Sequence, residues 1–130
     1  MAGTVTEAVS EQTNIQKITL TCVGDAADGS FPATVIAHKF SGRIIEIVTN
    51  PGATAPTANY DIVVNRETLD VLQGVGANRH TSATEAAPVV FSGTSLHPII
   101  HESDTLTLAV SGNSVNSAIV VIDIYIALGA

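Results

Sequence analysis

His97 and His101, in the run LHPIIHES, stand four residues apart with Glu102 beside the second. On a helix that spacing would put both imidazoles on one face, where a transition metal could be held. Pro98 directly follows His97 and the β-branched pair Ile99-Ile100 comes next. The segment therefore favours an extended or loop backbone in which the two rings need not converge. His38 and His80 have no sequence neighbours that improve on this. DAADG, residues 25–29, opens like a calcium loop, but no acidic residue follows about a turn later to complete an oxygen shell, so a solvated turn is expected. GVGANR, residues 74–79, lacks the spacing of a dinucleotide fingerprint, and no amphipathic helix follows it to offer an N-terminus to a pyrophosphate. Neither FSGTS nor VSGNSV supplies the strand-to-helix elbow of a hydrolase nucleophile, and no His with an Asp partner is signalled. The twelve acidic residues are scattered, and five aromatics are too few to build sugar platforms beside a carboxylate pair. The residue types that do chemistry thus spell out no reaction: the expectation is a non-enzyme with no catalytic residues, no cofactor and no metal site.

The elements around them read as all-β. IQKITLTCVG places Ile18, Leu20 and Cys22 on one face of a strand, because successive side chains point to opposite sides. The turn DAADGS follows, with Asp and Gly suited to local hydrogen bonding and positive φ. FPATVIAHKF is expected as a second strand, RIIEIVTN as a third that ends at an NPG turn, and YDIVVN as a fourth. DTLTLAVSG has the cleanest two-residue period, with Leu106, Leu108 and Val110 inward and Thr105 and Thr107 outward. SGNSVNS then joins it to the terminal strand, a connection short enough for a hairpin. Between these lie a helical turn or short helix at residues 67–72, a Gly, Asn and Ser-rich excursion, and a short strand at APVVF. Six or seven strands without a long helix predict a single-domain β-sandwich, jelly-roll-like, with a long irregular loop in the middle. The domain is expected over residues 15–130, preceded by an N-terminal arm at residues 1–14.

Composition excludes several partners. The chain has 130 residues, a net charge of −7 and five basic residues: Lys17, Lys39, Arg43, Arg66 and Arg79. Duplex binding draws most of its non-specific affinity from cations at phosphates, so direct nucleic-acid binding is not expected, nor attachment to an anionic membrane surface. The lone Cys22 cannot close an intrachain disulfide and reads as a small buried strand residue. The first fourteen residues lack the basic and apolar regions of a signal peptide, and the longest apolar run, residues 118–128, is about half of what a spanning helix needs.

That same run raises the sharpest functional expectation. In NSAIVVIDIYIALGA, Val120, Ile122, Ile124, Ile126 and Leu128 line one face of a strand. The opposite face carries Ile119, Val121, Tyr125 and Ala127, with Asp123 as its only charge. One face completes a core, and the other leaves an apolar stripe to be covered by a second copy, by another protein or by the chain's own loop. A hydrophobic fraction of 45% with 13% charged residues is high for a small solitary domain. Ile119, Val121 and Tyr125 are therefore expected at a protein interface in a dimer or trimer of this chain.

The run YDIVVNRETLDVLQGVGANRHTSATEAAPVVF, followed by LTLAVSGNSVNSAIVVIDIYI, resembles small virion structural proteins of tailed bacteriophages. The likeness covers roughly residues 60–126, and its distinctive pieces are Gly74, Gly76, Ala77, Asn78 and Arg79, then Ser111, Gly112 and Asn113. It implies a place in the particle, with no reaction. The reading that follows is a capsid decoration or cement protein, oligomeric, made in the bacterial host cytoplasm and lying on the capsid exterior against the major capsid protein. The alternative is a tail, collar or fibre-associated subunit, or a host-binding module of the same fold, with recognition on the loop at residues 74–87. Gly76, Asn78 and Arg79 join the expected interface. Arg79 either pairs with a carboxylate across a subunit boundary or braces its own loop.

Overall fold

Runs that alternate apolar and polar side chains bury one face each, and ten such segments, long and short, make up the computed structural model of this chain. It describes residues 1–129; Ala130, the end of the expected domain, lies outside the described residues. The strands are β1 (Thr4–Glu11), β2 (Ile15–Val23), β3 (Thr34–Val35), β4 (Gly42–Pro51), β5 (Asp61–Arg66), β6 (Leu69–Asp70), β7 (Glu85–Pro88), β8 (Ile99–Ile100), β9 (Leu106–Ser111) and β10 (Ile119–Leu128). There is no helix among the described residues, and hence none long and apolar enough to cross a membrane.

The strands form two antiparallel sheets. A six-stranded sheet runs β1-β2-β10-β4-β7, with β8 also pairing with β4, and a four-stranded sheet runs β3-β9-β5-β6. Both contribute to one core. Ile18, Leu20 and Cys22 of β2, Ile44 and Ile47 of β4, and Ile122 and Ile124 of β10 pack in the same cluster as Ile62 and Val64 of β5 and Leu108 of β9. Two sheets joined through one apolar core are consistent with a β-sandwich. Each fully buried Ile or Leu side chain contributes roughly 1.5–3 kcal/mol, which makes the inward row of β10 a main source of stability.

The expected hairpin between DTLTLAVSG and the last strand does not form. β9 pairs with β3 and β5 in one sheet, and β10 pairs with β2 and β4 in the other. The connection passes from one sheet to the other instead, largely exposed. Asn113 fastens it: its Nδ2 donates to the carbonyls of Gly29 and Val115 at 2.7 and 3.0 Å, and its Oδ1 accepts from the Thr57 amide at 2.9 Å.

Residues expected as an arm are largely sheet. Thr4–Glu11 pair with β2 along their whole length, because Val5, Glu7 and Val9 alternate onto the inner side opposite Cys22, Leu20 and Ile18. Glu7 then accepts from the amides of Ala37 and His38 at 2.8 and 2.9 Å, tying this edge to the segment after β3. That anchor also explains why FPATVIAHKF yields only a two-residue strand: amides that would continue a ladder bond to a carboxylate.

At residues 67–72 the structure has a β-hairpin in place of a helical turn. Glu67 adopts φ of 57° and β6 folds back so that Leu69 faces Arg66. Asp70 overrides the helical spacing, since its Oδ1 accepts from the amides of Val64 and Leu72 and its Oδ2 from that of Gly74, all within 3.1 Å.

Candidate protein interface

The outer face of the six-stranded sheet is built in register around β10. Val121, Asp123, Tyr125 and Ala127 stand beside Thr21, Thr19, Lys17 and Ile15 of β2. On the other side they meet Asn50, Val48, Glu46 and Arg43 of β4. The extra residue Ile45 makes a bulge between Tyr125 and Ile126, which keeps Arg43 and Glu46 on the same side of the sheet. Asp123 is the face's one buried-looking charge by sequence, and the structure accounts for it: Thr19 Oγ1 donates to Asp123 Oδ1 at 2.7 Å.

Ile119, Val121 and Tyr125 are all partly buried. Ile119 is covered from within the chain, for its amide donates to Thr54 O at 2.9 Å and its carbonyl accepts from Gly52 at 2.7 Å. A Cβ on Gly52 would lie 2.7 Å from the Ile119 side chain, so only glycine lets this loop close over it. Val121 and Tyr125 owe their burial to flanking strands in the same sheet. Their tips point away from the core cluster, as the sequence period requires.

Gly76, Asn78 and Arg79 sit elsewhere, beside β5 of the four-stranded sheet. Gly76 is buried and its carbonyl accepts from the Ile62 amide at 2.8 Å. Two backbone bonds hold Arg79 beside β5: the Asn59 amide donates to Arg79 O at 3.0 Å and the Arg79 amide donates to Tyr60 O at 2.8 Å. Its guanidinium lies 3.7 Å from Glu85 Oε1 with only 14% of the side chain exposed. Of the two roles open to Arg79, the structure shows bracing of its own loop, across to β7 of the other sheet. Asn78 donates its amide to Asp61 Oδ1 at 2.9 Å and stays exposed at φ of 54°. The six expected interface residues therefore fall into two separate groups.

The histidines do not converge. His97 Nδ1 lies 2.7 Å from the Val89 carbonyl, and His101 Nδ1 lies 2.8 Å from Ser103 Oγ. Asp104 bonds the His101 amide at 2.8 Å and Arg66 at 3.2 Å, leaving the imidazole without a carboxylate to orient it as a base. Among the described residues no three His, Cys, Asp or Glu side chains cluster as metal ligands.

Two open clefts flank Arg66, which sequence reading missed. One, of about 380 Å³, is lined by Arg66, Glu67, Ser103, Asp104, Thr105 and Thr107. The other, of about 330 Å³, is lined by Arg43, Arg66, Phe91, Leu96, His97 and Ile99. The available signal was the unburied apolar run in FSGTSLHPI, which carries Phe91, Leu96 and Ile99 without a strand period. Compared with known proteins, the chain matches no family model, no curated protein and no solved structure.

Proposed function

We propose that this chain is a non-enzymatic virion structural protein of a tailed bacteriophage, a capsid decoration or cement protein that stabilises the shell by adding buried interface. Its sandwich is, on this reading, of the jelly-roll kind. The observation that carries the proposal is the outer face of β10, where Val121, Tyr125 and Ala127 alternate with one acid, Asp123, that accepts from Thr19, and none of the three belongs to the core cluster. The likeness of residues 60–126 to phage structural proteins supplies the particle, and a net charge of −7 suits a position away from packaged DNA.

The face suits lattice contact in size as well. Its four longer strands, β1, β2, β10 and β4, of eight to ten residues at ~3.3 Å each and about 4.8 Å apart, give a face of roughly 600 Å². That approaches the ~800 Å² per partner of a specific interface. In the assembled particle the major capsid protein and further copies of this chain are its partners.

Quantitative densitometry of purified particles tests the reading: a cement protein is present in hundreds of copies, in proportion to the shell protein, and stays with heads stripped of tails. Tens of copies or fewer, lost with detached tails, would favour the tail, collar or host-binding alternative. Val121→Asp should lower occupancy on particles at least tenfold while the isolated protein stays folded.

A further inference from the structure

Of the seven exposed large hydrophobic residues among those described, three, Phe91, Leu96 and Ile99, line one cleft, and a fourth, Leu69, stands opposite Arg66 of that cleft. Leu96 is 65% exposed, Ile99 57%, Leu69 47% and Phe91 41%. Arg66 stands among them: it pairs in register with Leu69 across the β5–β6 hairpin, its Nη1 donates to Ile99 O at 2.8 Å, and it lines the cleft that Phe91, Leu96 and Ile99 share. Arg43 reaches the same cleft from β4, next to Ile99 of β8, and has no carboxylate partner among the described residues. An apolar hole with an unpaired cation thus lies on one side of Arg66.

On the other side lies a knob of opposite charge. The hairpin turn presents Glu67 and Thr68, both exposed, followed by Leu69. Asp70 behind them is used in holding the turn, so Glu67 is the carboxylate free to reach outward. Hole and knob are adjacent on one molecule, which is the condition for a two-fold contact in which each copy inserts its knob into the other's hole. We propose that this end of the sandwich is an isologous dimer interface, Glu67 and Leu69 of one copy seated against Arg43 and Ile99 of a second. Elsewhere two copies of net charge −7 repel one another, and here opposite charges meet beside apolar surface. The cleft adjoins the outer face of β10 at Arg43, which stands beside Ala127, while Glu67 and Leu69 belong to the hairpin of the other sheet; the dimer stands whether or not the chain belongs to a particle.

Sedimentation of the full chain from about 5 to 500 µM tests this. The wild type should be a concentration-dependent dimer. R43E and E67R should each weaken it at least tenfold by placing like charges together twice, and a mixture of R43E with E67R should regain it, because both contacts then pair opposite charges. Leu96→Asp, on the exposed loop, should weaken it without altering the circular dichroism spectrum. A wild type that is monomeric throughout, a dimer indifferent to all three substitutions, or a mixture that does not recover would overturn the proposal. A dimer behaving as described in a protein absent from particles would sink the capsid reading alone.

Discussion

Arg66 Nη1 stands 3.2 Å from Asp104 Oδ2, and the same oxygen accepts the His101 amide at 2.8 Å, so one carboxylate locks the end of β5 to the turn that follows β8. The His101 amide first, and Arg66 after it, hold the Asp104 carboxyl below the usual carboxylate range. A carboxyl whose pKa is lowered by folding stabilises the folded chain above its unfolded value near 4 and loses that contribution as pH falls through the lower folded value. Asp104→Asn should therefore be less stable than the wild type at neutral pH, with the gap closing in acid. Urea unfolding from about pH 2 to pH 7 measures this; a gap that stays constant across the series would refute the linkage.

A Cβ on Gly76 would fall 2.2 Å from the Ile62 carbonyl oxygen, a backbone atom that cannot swing aside. Gly76→Ala must push the loop off β5 and break the bond between its carbonyl and the Ile62 amide. The expected loss is about 2 kcal/mol or more. Gly74→Ala is the contrasting case: open space surrounds that position, and only its φ of 80° resists a side chain, so the loss should be nearer 1 kcal/mol. Thermal melts of the two variants rank them, and equal melting points would contradict the steric account.

Burial pushes the Cys22 thiol up to about 12. The folded protein should leave Cys22 unreacted with a thiol-specific disulfide reagent at pH 8 and expose it only on unfolding. A raised pKa also carries a sign for stability: the contribution is complete below the ordinary value of 9.0 and fades as pH climbs towards the folded value. Cys22→Ala should show a shallower alkaline decline than the wild type in matched denaturant titrations, and rapid labelling of native protein would count against the buried thiol.

Two buried oxygens, Thr49 Oγ1 and Tyr60 Oη, make no hydrogen bond with the described residues. Burial raises the Tyr60 phenol above its ordinary pKa, with Thr49 close by. Removing an unbonded buried hydroxyl relieves a desolvation cost, so Tyr60→Phe should leave stability unchanged or raise it by up to about 1 kcal/mol. A loss larger than that in urea unfolding would reveal a partner for the hydroxyl.

Side-chain periodicity made β2, β4, β5, β9 and β10 legible, because each buries one face and the buried face repeats every second residue. Pairing was less legible. The short link between β9 and β10 invited a hairpin, yet β10 pairs with β2 and β4, so that its inward row Ile122 and Ile124 continues the buried rows of Ile18 and Leu20 on one side and Ile47 on the other. β1 escaped notice because Glu7 occupies one of its inward positions, and only the amides of Ala37 and His38 explain a carboxylate facing that way. The outer face of β10 could be read from its residues. For Arg79 the sequence left two roles open and only the folded chain shows its contact with Glu85, while the meeting of Arg43, Leu69 and Ile99 around Arg66 brings together three separate strands and has no signal in any one of them.

The placement of β10 between β2 and β4 also sets an order of events. Leu20 waits for Ile122, about a hundred positions downstream, before the two halves of the larger sheet have anything in common. Until β10 is made, β2 has only β1 beside it and β4 only β7 and β8, so the two groups share no strand. Closure over so long a loop is slow, so the growing chain passes through a stage in which the facing edges of β2 and β4 are both unpaired.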